Sequence, residues 1–191
     1  PRAEILDYEE LARLCAVAVS RGVRQVEVTG GEPLVRRDVH RFVALLKSIP
    51  GLEEVALTTN GTRLAASACA LKDAGLDRVT LSLDSLEPET YRAMARVGAL
   101  SETLAGIDAA EAAGFGPIKV NCVVMRGVND GQVGDLAAWG RRTGRQMRFI
   151  EFMPLEGDRS WSRSLMVPAS EIAAAVAARF PAAERPGAPH S

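Results

Sequence analysis

Four short clusters of polar residues and glycines follow apolar, β-branched stretches of this 191-residue chain. They read TGGEP at residues 29–33, TTNG at 58–61, SLDS at 82–85 and EFMP at 151–154. Paired glycines let a ligand approach the backbone, carboxylates bind ammonium groups, and hydroxyl or amide groups hydrogen-bond sugars and phosphates. Because ligands of α/β proteins bind at the carboxyl ends of the strands, we expect these clusters to line one ligand site.

Each cluster also has a simpler interpretation. The segment 30–33 (GGEP) is compatible with an ordinary turn into a helix, and Thr-Asn-Gly is most often a turn. The spacing G-x-G-x-x-G of dinucleotide-binding loops is absent, and so is the G-x-x-x-x-G-K-[ST] loop of nucleoside triphosphatases. The convergence of four strand ends is therefore a stronger indication than any single cluster.

Several cationic residues are candidate contacts for an anionic ligand. Lys119 lies within an apolar stretch, where a lysine either pairs with a carboxylate or faces a cavity that holds a ligand. The candidate carboxylates are Asp84 and Glu27, and Glu27 pairs with Lys119 unless strand separation keeps them apart. Further candidates are Arg36, Arg37 and Arg148, with solvation at the surface as the alternative for the first two.

The elements that position these residues alternate between strand and helix. Five short strands are predicted to begin near positions 24, 53, 78, 118 and 146, and segments of helical periodicity lie before, between and after them, the last at about 168–178. Gly22, Gly75 and Gly114 stand where helices are expected to end. This alternation predicts an α/β fold with parallel strands and right-handed crossovers.

Within the first four strands, apolar and polar side chains alternate, as Val26 and Val28 do with Glu27 and Thr29. One face of the sheet is therefore apolar and the other polar. A closed eight-stranded barrel needs about 250 residues and an apolar interior. We therefore predict an incomplete, TIM-like (β/α) barrel with outer helices and a polar inner face; an open doubly wound sheet is the alternative.

The composition excludes several classes of function. Lys and Arg number 23 against 24 Asp and Glu, so binding to nucleic acid or a membrane surface through bulk charge is not expected. The chain has no apolar run long enough for a membrane span and does not begin as a signal peptide does, which favours a cytoplasmic location. Cys15, Cys69 and Cys122 are too widely spaced for a metal cluster and are expected to be buried, reduced thiols.

The sequence VTGGEPL at 28–34, followed by RRD at 36–38, resembles the S-adenosylmethionine (SAM) binding stretch of radical SAM enzymes. An ordered set of further segments resembles the GTP 3′,8-cyclase family, which begins molybdenum cofactor biosynthesis. These segments are TTNG at 58–61, VTLSLDS at 79–85, KVN at 119–121, MRGVND at 125–130 and RFIEFM at 148–153. The resemblance extends to about residue 175.

This resemblance implies an incomplete six-stranded (β/α) barrel of the radical SAM type, with SAM and [4Fe–4S] clusters as cofactors. In the intact enzyme, a cluster reduced by an electron donor cleaves SAM, and the resulting radical abstracts a ribose hydrogen from GTP. The product is (8S)-3′,8-cyclo-7,8-dihydroguanosine 5′-triphosphate. The residues implied for SAM are Gly31, Ser82 and Met153, with Glu32 and Asn60 as neighbours. Those implied for GTP are Thr58, Lys119 and Arg148.

The sequence departs from the family in two respects. The family's cysteine segments for its two clusters are not among these residues, so we interpret the chain as a fragment that is inactive by itself. Residues 1–179 would form the barrel core and 180–191 the start of a truncated C-terminal region. Glu27 stands where the family has an arginine that contacts GTP. The alternatives are therefore a radical SAM enzyme with another substrate, or a non-catalytic nucleotide-binding barrel. The oligomeric state stays open, a homodimer included.

Overall fold

A computed structural model describes residues 5–154 and 162–180 of the chain. Its sheet has five strands, and each pairs with its neighbour in parallel in the order β1-β2-β3-β4-β5. The strands are β1 (Gln25–Val28), β2 (Glu54–Thr59), β3 (Arg78–Ser82), β4 (Lys119–Val124) and β5 (Gln146–Glu151). All five lie where the sequence predicts them, and the α/β class is confirmed.

The α-helices of the described residues flank and connect the strands. They are α1 (Tyr8–Ser20), α2 (Val39–Lys47), α3 (Ala68–Asp73), α4 (Pro88–Ala95), α5 (Leu100–Ala112), α6 (Val133–Thr143) and α7 (Ala169–Arg179). Asp7 caps α1 through a capping box with Glu10. Gly22, Gly75 and Gly114 have φ angles of 105°, 91° and 85°, so the predicted glycine stops of α1, α3 and α5 are confirmed.

Helix α4 was not anticipated from the sequence. It begins at Pro88, whose fixed φ suits the first turn of a helix, and it presents Tyr91 to the interior. Tyr91 is 2% exposed, and its hydroxyl lies 2.7 Å from the hydroxyl of Thr103 on α5. Two sequence features could have predicted this helix: Pro88 at its first position, and the spacing of Tyr91 and Ala95 by one helical turn.

The two faces of the sheet differ as the alternation predicts. The apolar face is buried, with Val55, Leu57, Leu81 and Val120 fully covered. On the other face the strand register sets two polar rows side by side. One row is Thr58, Thr80 and Lys119, and the other is Ser82, Asn121 and Arg148.

The strand order follows the sequence without a reversal. A doubly wound sheet reverses its strand order at a switch point, where it binds its ligand. The described sheet is therefore not doubly wound, and its order is that of a barrel. No helix among the described residues is both long and apolar enough to cross a membrane.

Candidate functional site

A cavity of about 400 Å³ opens at the carboxyl ends of β1, β2 and β3. Backbone and polar side chains form one wall, and helix α4 and the residues after it form the other. The lining residues are Thr29, Gly30, Gly31, Glu32, Thr58, Thr59, Asn60, Ser82, Asp84, Tyr91, Ala95 and Val97. Three of the four predicted clusters, those at 29–33, 58–61 and 82–85, thus meet in one place.

Glu32 ties the loop after β1 to the end of β2. Its Oε1 accepts hydrogen bonds from the Leu34 N–H at 3.0 Å and the Thr59 hydroxyl at 2.6 Å. Its Oε2 accepts the Asn60 N–H at 2.8 Å. These bonds fix the position of Gly31 beside β2. Because a carboxylate has about four acceptor sites, Glu32 also retains acceptor capacity for an ammonium group in the cavity.

Asn60 is held by its own turn. Its Oδ1 accepts hydrogen bonds from both the N–H and the hydroxyl of Thr62, at 3.0 and 2.8 Å. Its backbone carbonyl accepts the Thr103 hydroxyl at 2.9 Å. The side-chain oxygen is therefore occupied, and the amide NH₂ is the group of Asn60 that remains to donate to a ligand.

Asp84 belongs to the predicted cluster at 82–85 and was also a candidate partner for Lys119. Its Oδ1 accepts the Val123 N–H at 2.8 Å, and its carbonyl oxygen accepts the side-chain amide of Asn129, also at 2.8 Å. Asn129 is itself 1% exposed, so this hydrogen bond holds the Asp84 backbone to the interior. Burial raises the pKa of the Asp84 carboxyl above its usual value, and the Val123 hydrogen bond opposes this shift.

Substitution of Asp84 by asparagine tests this burial. A carboxyl whose pKa is raised by folding destabilises the fold at pH values above the raised pKa, and not below its unfolded pKa. Asparagine can still accept the Val123 N–H. We therefore expect Asp84→Asn to raise the Tm by about 2–4 °C at pH 7 and by less at pH 4, in thermal unfolding followed by circular dichroism. Asp73→Asn, on an exposed residue, controls for the lost charge; an equal gain for Asp84→Asn at both pH values would contradict the burial argument.

Thr58 and Glu27 form a pair on neighbouring strands. The Thr58 hydroxyl donates to Glu27 Oε1 at 2.5 Å. Strands β2 and β3 separate Glu27 from β4, and in the described chain Lys119 forms no ion pair with Glu27 or Asp84. Strand separation thus keeps Glu27 and Lys119 apart.

Other predicted site residues do not line this cavity. Lys119 borders a smaller pocket of about 200 Å³ together with Glu54 and Arg78, residues at the amino-terminal ends of β2 and β3. Arg148 is exposed on β5. Met153 follows β5 and is 56% exposed. The fourth cluster, 151–154, therefore does not join the other three.

Two residues considered for ligand binding have structural partners instead. Glu151 accepts the N–H of Ala169 at the start of α7, at 2.5 Å. Arg36 donates to the Leu6 carbonyl at 2.7 Å and lies 4.0 Å above the Tyr8 ring. The geometry of Arg36 therefore does not support its interpretation as an anion contact. Arg37 is exposed, which agrees with the alternative that it is solvated at the surface.

The cysteines do not form a metal centre. Cys15 is half-buried, Cys69 exposed and Cys122 buried, so the expectation of three buried thiols is wrong for Cys69. Burial, aided by the charge of Asp84, raises the pKa of the Cys122 thiol, which makes it unreactive. The described residues contain no group of three or more His, Cys, Asp or Glu side chains placed to hold a metal. An iron–sulfur cluster does not fit them.

A family model, the Radical SAM superfamily, matches residues 1–140. The chain belongs to this superfamily. Its members use SAM and a [4Fe–4S] cluster, so the two predicted cofactors are confirmed for the superfamily. The cavity at the carboxyl ends of β1–β3 contains the loop that resembles the superfamily's SAM-binding stretch, and most of the side chains that line it are polar.

Two relatives and one solved structure define the similarity of this radical SAM chain more closely. It is 50% identical over 182 residues to the GTP 3′,8-cyclase of Acidothermus cellulolyticus, covering 95% of this chain and 50% of the relative. It is 53% identical over 156 residues to that of Heliobacterium modesticaldum, covering 81% and 48%. A crystal structure of methylornithine synthase matches with a TM-score of 0.69 and 20% identity, over 92% of this chain and 53% of that one.

The chain spans about half the length of the curated relatives that it matches. The similarity to methylornithine synthase concerns the fold, and it confirms the partial TIM-type barrel of a radical SAM protein.

Proposed function

We propose that this chain is the SAM- and GTP-binding core of a GTP 3′,8-cyclase of molybdenum cofactor biosynthesis. The observation that carries the proposal is the identity of 40–53% to proteins of that name over 81–97% of the chain. We also propose a cytoplasmic location and an electron donor as partner. The homodimer and the domain boundary at residue 179 stay predictions.

SAM fits the cavity through residues of three strand ends. Gly31 exposes backbone N–H and C=O groups, Glu32 offers an acceptor for the SAM ammonium group, and Ser82 offers a hydroxyl. The Asn60 amide completes the polar wall. Met153, proposed to contact SAM, lies outside this cavity. If bound here, SAM would supply the radical chemistry, and the protein would orient SAM and the substrate.

GTP is proposed to bind along the inner face, next to SAM. Thr58 lines the SAM cavity, while Lys119 and Arg148 provide two positive charges farther along the same face. Both cations attract a triphosphate, and neither forms an ion pair with another described residue.

Glu27 supports a second candidate function. Its carboxylate faces the same side of the sheet as Thr58 and repels a triphosphate placed there. This residue favours a radical SAM enzyme whose substrate carries less negative charge than GTP.

A chimera distinguishes the two candidates. The matching 182 residues of the Acidothermus enzyme are replaced by this chain, so that the parent supplies the rest of the protein. Under anaerobic, reducing conditions we expect the chimera to form 5′-deoxyadenosine and the cyclic GTP product, both quantified by mass spectrometry against the parent enzyme. Formation of 5′-deoxyadenosine without consumption of GTP would favour the second candidate. A folded chimera that binds no SAM would contradict both.

A further inference from the structure

Thr80, on the inner face of β3, has a buried hydroxyl without a partner. The residue is 1% exposed, and its Oγ1 forms no hydrogen bond with any group in the described part of the chain. Thr103 is equally buried, but its hydroxyl contacts Tyr91 at 2.7 Å and Asn60 at 2.9 Å. Buried polar groups are nearly always paired, and an unpaired one destabilises the fold. Thr80 therefore requires an explanation that Thr103 does not.

The position of Thr80 in the sheet indicates what its hydroxyl could bind. The register places Thr80 directly between Thr58 on β2 and Lys119 on β4. Neighbouring strands lie about 4.8 Å apart, so the Thr80 hydroxyl lies between the two side chains proposed to bind GTP.

Thr80 is also the hydroxyl on this row whose proton is free. Thr58 donates its proton to Glu27 and so has only lone pairs left for a ligand. The Lys119 ammonium can only donate, and its long stem lets it move aside when a ligand enters. Thr80 alone among these three can provide a neutral, fixed donor to a ligand oxygen.

We propose that Thr80 is a third substrate-binding residue, whose hydroxyl donates a hydrogen bond to a phosphate or ribose oxygen held between Thr58 and Lys119. This inference rests on the proposed function, with GTP as the substrate. It explains the unpaired hydroxyl as a group that acquires its partner when the substrate binds.

Three variants of the chain test the proposal through stability and binding together. Valine matches threonine in shape but lacks the hydroxyl, so Thr80→Val removes an unpaired group, and we expect its Tm to rise by about 2–4 °C. Thr103→Val, the matched control, removes a bonded hydroxyl and is expected to lower the Tm by a similar amount. In calorimetry with the chimera described above, Thr80→Val is expected to weaken GTP binding about tenfold, and Thr80→Ser to restore it, with SAM affinity unchanged in both.

The outcomes separate this inference from the function on which it rests. Absence of GTP binding to the unsubstituted, SAM-loaded chimera would overturn the proposed function and this inference with it. Normal GTP binding that Thr80→Val leaves unchanged would overturn the inference alone. A lower Tm for Thr80→Val would also overturn it, because the hydroxyl would then have a structural partner in the free protein.

Discussion

Gly106→Ala is expected to lower the free energy of unfolding by about 2–3 kcal/mol, although alanine normally stabilises a helix relative to glycine. Gly106 lies in α5, where an added Cβ would stand 2.2 Å from the Gly61 carbonyl oxygen and 3.2 Å from the Leu64 Cβ. The oxygen belongs to the backbone and accepts the Leu64 N–H at 3.0 Å, so it cannot move aside without breaking the turn. Urea denaturation measures the change.

Gly134→Ala in α6 is the matched control. A Cβ at this position would meet its nearest atom, the Cβ of Arg179, at 3.7 Å, which is ordinary van der Waals contact. We expect this variant to gain about 0.5–1 kcal/mol. Equal effects of the two substitutions would contradict the close packing of α5 on the turn. Because Gly61 directly follows Asn60 in the cavity wall, the Gly106 variant should also bind SAM more weakly.

In the chimera, which restores the rest of the enzyme, Glu27→Arg is expected to raise the affinity for GTP by about tenfold or more at low ionic strength. The substitution removes a carboxylate that repels the triphosphate and introduces a planar cation that binds phosphate oxygens in a bidentate manner. It also frees the Thr58 hydroxyl, which donates to Glu27 in the unsubstituted chain. Calorimetry at two salt concentrations measures the gain, which should shrink as salt screens the charges.

Glu27→Gln separates charge from hydrogen bonding. Its amide oxygen can still accept the Thr58 proton while the negative charge is gone, so an intermediate gain is expected. If Glu27→Arg leaves GTP affinity unchanged or lowers it, Glu27 is either remote from the nucleotide or adapted to another substrate. Adaptation to another substrate would favour the alternative radical SAM enzyme.

Local sequence pattern predicted the sheet well because the strands are short and most of them alternate apolar with polar side chains. Period-two alternation identified the inner face, and residues such as Thr58 and Ser82 followed from it. Helix α4 lacked a clear stripe of large apolar residues: it is short, and Tyr91 is its one fully buried side chain, so periodicity alone did not reveal it.

The pairing of side chains was less predictable. Whether Glu27 meets Thr58 or Lys119 depends on strand order and register, and neither is encoded in the alternation of a single strand. The unpaired state of the Thr80 hydroxyl likewise depends on every neighbour across the sheet. The sequence could place Lys119 on the inner face of the sheet. It could not place Lys119 along the barrel axis, which decides whether the side chain lines a given cavity.

The sequential order of the strands has a consequence for local opening. Each strand bonds only to the strands before and after it in the sequence, so β3 is protected on both sides while β1 and β5 each have one bonded neighbour in the described sheet. Amide hydrogen exchange should therefore be slowest in β3. It should be fastest in β1, where every second residue is exposed. Since Gly30 and Gly31 directly follow β1, fraying of this strand loosens the glycine loop first. The side of the cavity formed by the glycine loop is thus expected to open without global unfolding.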